Sequence, residues 1–229
     1  NIYVRKDNVD GYMDFLGGLG QDISLREQDS LAYTAAELVY TRGDCEETIR
    51  DFKDYLDAFP NGRFLLNAHF YKADCQLKLQ QNEEALQSLD YIIAQPRNMF
   101  TEPALEAASK INFREKDYHR AIDNYRALLD LAEKKSNITE AHIGLMRCYA
   151  ALGEANNTIE AARQVLLQDK LQEEIIREAN FNIATSFYDM NEADFAYDYF
   201  RKEYDTDIKL MIVGHKKWWT KKIREAFES

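Results

Sequence analysis

Arg42-Gly43-Asp44-Cys45-Glu46-Glu47-Thr48-Ile49 decides the fold, because its pattern returns four more times along the chain. The same register holds Gln80-Gln81-Asn82-Glu83-Glu84-Ala85-Leu86 and Lys116-Asp117-Tyr118-His119-Arg120-Ala121-Ile122. Leu152-Gly153-Glu154-Ala155-Asn156-Asn157-Thr158-Ile159 and Met190-Asn191-Glu192-Ala193-Asp194-Phe195-Ala196-Tyr197 complete the set. The small residue of each copy falls at 48, 85, 121, 158 and 196, so the steps are 37, 36, 37 and 38 residues. Near-constant spacing over five copies marks a repeat architecture, in which each unit touches mainly its neighbours.

The flanks say what each copy is. Ahead of the first copy, Ala32, Ala35, Ala36 and Val39 place small residues at helical spacing. Behind it, Ile49, Phe52, Tyr55, Leu56 and Phe59 recur at three- and four-residue intervals, and Ile122, Tyr125, Leu128 and Leu129 repeat that stripe. Each unit therefore reads as helix A, a turn of three or four residues, and helix B. The small residue at the crossing lets two antiparallel backbones approach.

Composition agrees. The chain has 229 residues with only 9 Gly and 3 Pro, too few turn-formers for a sandwich or barrel. Its 14 Tyr and 12 Phe supply enough apolar surface for an ordered core. The net charge of −11 argues against a nucleic-acid partner, which needs clustered Lys and Arg. No apolar run approaches the roughly 18–20 residues of a membrane span; Leu210 to Val213, for example, has four.

On these residues the chain resembles the tetratricopeptide repeat family. The family's small residue of helix A corresponds to Ala36, Ala73, Ser109, Met146 and Ala184, and that opening helix B to Thr48, Ala85, Ala121, Thr158 and Ala196. The helix B aromatic corresponds to Phe52, Leu89, Tyr125, Ala162 and Phe200, and the closing proline to Pro60. Met146 and Ala162 exchange large for small, which puts the packing of the fourth unit in question. The spacing exceeds the family's usual 34 residues, and longer B-to-A connections such as Asn61-Gly62-Arg63 account for the excess. The phrase from Phe59 to Phe64, followed by Asn67-Ala68-His69-Phe70-Tyr71, is similar to bacterial envelope members of the family.

The resemblance implies an all-α, right-handed superhelical solenoid of about five hairpins plus flanking helices. Five repeats are expected over 25–204, at about 25–60, 64–97, 101–134, 138–170 and 174–204. Residues 1–24 form an N-terminal helix and connector, with 7–16 read as the remnant of a preceding repeat. Ser24 and Glu27 have capping-box spacing and start the first helix. Residues 205–229 form a C-terminal capping segment. From Lys209 onward it carries six Lys and Arg against two Glu, with Trp218 and Trp219 among them. Capping the last repeat is the first reading of this segment; contact with anionic lipid or a partner is the second.

Enzyme signatures are missing from the sequence, and the expectation is a non-enzymatic protein with no cofactor or metal. His69, His119, His142 and His215 form no His-x-x-x-His pair, and His69 and His142 share one repeat position, which reads as packing. Cys45, Cys75 and Cys148 form neither a metal motif nor a paired disulfide framework. Cys75 and Cys148, equivalent by register, read as small buried hydrophobes. The acid pairs Glu46-Glu47, Glu83-Glu84 and Glu173-Glu174 read as helix starts that complement the macrodipole.

By resemblance, function falls to the concave groove lined by helix A. Its inward positions are Tyr33, Glu37 and Tyr40, then Phe70, Tyr71, Asp74 and Lys78, then Lys110, Phe113 and Arg114. Ile143 and Arg147 follow in the fourth unit, and Phe181, Asn182, Thr185 and Tyr188 in the fifth. Rings with interspersed charges suit an interface core; the other reading of the same rings is packing against the neighbouring helix. The family's chaperone-tail clamp is absent, since Tyr33, Glu37, Tyr71, Pro103 and Ala107 stand at its positions. The expected protein is a scaffold or adaptor that binds a protein or peptide segment through the groove. The alternative is a structural, self-associating segment of a longer array in an envelope assembly. Membrane contact is expected only through the basic Trp-containing tail.

Overall fold

A computed structural model describes residues 24–192, 194–196 and 199. The expected N-terminal remnant and the tail from 205 lie outside the described residues, as does Phe200. The helices are α1 Leu25–Arg42, α2 Cys45–Ala58, α3 Leu65–Lys78, α4 Asn82–Ile93 and α5 Thr101–Arg114. There follow α6 Tyr118–Leu131, α7 Lys135–Leu152, α8 Ala155–Leu166 and α9 Glu173–Asp189. No strand occurs among the described residues. The chain divides into two units, one ending at Ile111 and the other beginning at Asn112.

Helix starts follow local chemistry. Ser24 caps α1 as one half of a capping box, with the Glu27 N–H donating to its Oγ and the Ser24 N–H donating to Glu27. Asp44 and Asp117 cap α2 and α6, and the three acid pairs open α2, α4 and α9 as the dipole favours.

Two A-to-B turns have the expected three residues, between α3 and α4 and between α5 and α6, and two are tighter, with two residues between α1 and α2 and between α7 and α8. Each contains one left-handed residue: Gly43 (φ 83°), Gln80 (61°), Lys116 (63°), Gly153 (72°) and, after α9, Asn191 (61°). At Gln80 the turn is a Schellman motif, with the Gln81 N–H donating to the Gln76 carbonyl and the Gln80 N–H to Leu77. Lys116, Gly153 and Asn191 carry the same pair of bonds. The left-handed step reverses the chain within two or three residues. Three B-to-A connections are longer, residues 59–64, 94–100 and 167–172, whereas the one between α6 and α7, residues 132–134, is as short as an A-to-B turn.

The repeat residues do what their register demands. Ala36, Ala73, Ser109, Met146 and Ala184 are buried, and so are Thr48, Ala85, Ala121, Thr158 and Ala196. In the first unit, Tyr33, Ala36, Phe52, Tyr55 and Ala68 form one core cluster. Ala73, Ala85, Leu89, Ile92, Phe100, Ala104, Ala108 and Ile111 form a second. Burying one ring such as Phe52, which is fully enclosed, stabilises by about 2–3 kcal/mol.

In the second unit, Met146 and Ala162 are both fully buried, so the large-for-small exchange is accommodated. Gly144 makes room nearby: a Cβ there would run into the Tyr125 ring. A polar network ties the other end of the first unit. The buried Asp29 accepts from the Tyr55 hydroxyl at 2.6 Å and from the Arg63 N–H at 3.0 Å, while the Tyr55 hydroxyl accepts from the Phe64 N–H at 3.2 Å. Burial and this bond to Asp29 hold the Tyr55 phenol well above its ordinary range.

The cysteines correct one expectation. Cys45, first residue of α2, and Cys75, within α3, form a disulfide across 30 residues with their Cα atoms 4.9 Å apart. Sequence spacing hid the pair because the repeat brings α2 against α3. Cys148 is a buried free thiol, pushed up to about 12 by burial, and fits the hydrophobe reading.

Candidate functional site on the A helices

In the first unit the A-helix residues come from α1, α3 and α5. Tyr33 is 5% exposed and belongs to the core. Its ring stacks on Phe64 at 4.2 Å and meets Tyr55 edge-on at 5.9 Å, and its hydroxyl donates to Glu37 Oε1 at 2.6 Å. Burial, then this bond to Glu37, hold its phenol far above the ordinary range. For Tyr33 the packing reading therefore holds, because α2 and the 59–64 connection close over the ring.

Tyr40 and Tyr71 are different. Both are half-buried, and their rings stack at 4.4 Å, bridging α1 and α3. The Tyr40 hydroxyl donates to Asp74 Oδ2 at 2.9 Å, and Lys78 Nζ reaches the same oxygen at 2.7 Å. The Lys78 ammonium also lies 5.5 Å from the Tyr40 ring centroid. Burial, with Asp74 second, pushes the Tyr40 phenol up to about 12. Phe70, half-buried, stacks on the buried Phe100 at 4.6 Å. Lys110 pairs with Glu106 at 2.9 Å. The structure thus brings Tyr40, Tyr71, Asp74 and Lys78 into one cluster.

In the second unit, Arg147 is the anchored residue. Its guanidinium forks onto the Glu178 carboxylate, Nε to Oε1 and Nη2 to Oε2, both at 2.7 Å, linking α7 to α9. That bond raises the guanidinium further above its usual value. Sequence register alone misses Glu178; its signal is an acid 31 residues after Arg147 on the next A helix. Phe113 lies 5.7 Å from the Tyr118 ring, and Arg114 is exposed. Ile143 is buried, whereas Phe181, Asn182, Thr185 and Tyr188 are half-buried along α9. The Thr185 hydroxyl turns back to the Phe181 carbonyl at 3.0 Å.

Histidine packing is direct at one site. The His69 ring stacks on Tyr91 at 3.9 Å, and burial followed by the nearby Lys72 lowers it to about 4. His142 is likewise lowered by burial. No group of His, Cys, Asp and Glu able to hold a metal occurs among the described residues. No described helix is long and apolar enough to cross a membrane.

Neither a protein-family model nor a curated protein matches the sequence. Solved structures do match the fold. YrrB, a TPR protein with an unusual peptide-binding site, is 16% identical, with a TM-score of 0.59, covering 82% of this chain and 90% of that one. A MamA protein is 20% identical, with a TM-score of 0.55 over 76% and 89% of the two chains. MamA from Desulfovibrio magneticus RS-1 is 15% identical, with a TM-score of 0.53 over 80% and 95%. Left-handed A-to-B turns, buried small residues at the crossings and these likenesses define one class. The fold is the all-α tetratricopeptide repeat solenoid.

Proposed function

We propose that the chain is a non-enzymatic adaptor that holds a peptide or protein segment along the A-helix stripe. The carrying observation is the stacked Tyr40–Tyr71 pair with Asp74 and Lys78 beside it. These rings are locked in place by each other and by Asp74, yet keep part of their surface in solvent. Rigid, half-exposed tyrosines bury area against a ligand at small entropic cost. The peptide-binding site of YrrB supports the reading, since the two chains share a fold. The sequence's alternative, self-association, has no such localised feature behind it.

Selection of peptides from a displayed random library tests the reading. Tyr40→Ala/Tyr71→Ala should lose at least roughly tenfold in affinity for the selected peptides, a truncation loss of the hot-spot kind, with the helical circular dichroism unchanged. Tyr40→Phe should retain most of the binding. Equal affinity in the double variant would refute the stripe as the site.

A further inference from the structure

We infer that the Cys45–Cys75 disulfide is a structural staple, and that this chain works on the oxidising side of a membrane or outside the cell. The bond is placed to hold one repeat to the next. Cys45 opens helix B of the first hairpin, and Cys75 lies near the end of helix A of the second. At the opposite end of the same two helices, Tyr55, Asp29 and the backbone of Arg63 and Phe64 form the buried polar network. The α2–α3 seam is therefore fixed at both ends, covalently at one and by hydrogen bonds at the other. Disulfides with such structural placement persist where thiols are not kept reduced.

Surroundings protect the bond once it is made. Cys75 is fully buried, so an incoming thiolate can reach only the sulfur of Cys45, which is half-buried. Asp44, Glu46 and Glu47 flank Cys45 in sequence and oppose the approach of an anionic thiolate such as glutathione. Formation needs a donor disulfide, of the kind carried by a thiol–disulfide oxidase. The Cys45 thiolate, at a helix N-terminus, attacks the donor and one donor sulfur leaves. The Cys75 thiolate then attacks the Cys45 sulfur and releases the second donor thiol. Two thiols lose two electrons and two protons, and the donor gains them. Cys148, buried in the other unit and held as the thiol, does not compete.

The test is alkylation of acid-quenched source cells in denaturant, followed by intact and peptide mass measurement. Of these three cysteines, Cys148 alone should be alkylated, and all three after reduction, with a peptide linking Cys45 to Cys75. Alkylation of all three without reduction would overturn the compartment assignment. The staple is read on purified protein. Reduction, or the pair Cys45→Ser/Cys75→Ala, should lower the melting temperature by about 5–10 °C. The same reduction should leave the pair variant's own melting temperature unchanged. An unchanged melting temperature on reducing the natural chain would show that the bond holds nothing.

Discussion

Gly62 stands where a side chain has no room. A Cβ there would lie 2.6 Å from the Tyr55 hydroxyl and 2.9 Å from Asp29 Oδ1. Gly62→Ala should therefore split the buried Asp29–Tyr55 pair and cost about 2–3 kcal/mol, measured by urea denaturation. His69 gives the acid side of the stability curve. Its folded value near 4 lies below the ordinary 6.5, so between these pH values the unfolded chain binds the extra proton. Stability contributed by the neutral ring is complete above pH 6.5 and falls as pH drops toward 4, by about 1–2 kcal/mol after discounting for partial exposure. His69→Phe keeps the stack on Tyr91 and should flatten that part of a denaturation series taken from about pH 7 to pH 4.

Turns carry the lesson at the scale of elements. Gln80 and Lys116 occupy left-handed positions that Gly43 and Gly153 occupy in equivalent turns. A non-glycine residue there costs about 1–2 kcal/mol, partly offset by glycine's greater freedom in the unfolded chain. Gln80→Gly and Lys116→Gly should each stabilise by about 0.5–1 kcal/mol, and a rise in the denaturant midpoint at constant slope is the check. The helices themselves were legible in the sequence, because the small residues and acid pairs repeat in register. The left-handed turns were only half legible: two of the five hold glycine, and the others depend on backbone geometry that Gln, Lys and Asn do not announce. The candidate site was legible by position and not by exposure. Tyr33 and Tyr40 look alike in the repeat, yet Phe64 from the connection covers only Tyr33. Partners set by the next repeat, Cys45 with Cys75 and Arg147 with Glu178, escape any reading confined to one hairpin.

A repeat chain distributes its stability locally, because each hairpin leans on its immediate neighbours. Gly144→Ala, which drives a methyl into the Tyr125 ring, should cost about 3 kcal/mol or more, in the manner of an overpacked core. In amide exchange the loss of protection should centre on α6, α7 and α8 and leave α1 to α3 unchanged. Uniform acceleration over all helices would count against local cooperativity. The buried Cys148 makes such openings chemically visible without engineering. With Cys45 and Cys75 bonded, a thiol reagent has one target, and it reacts only when the interior around that sulfur is breached. The labelling rate of the natural chain is thus a clock for how often its second half breathes.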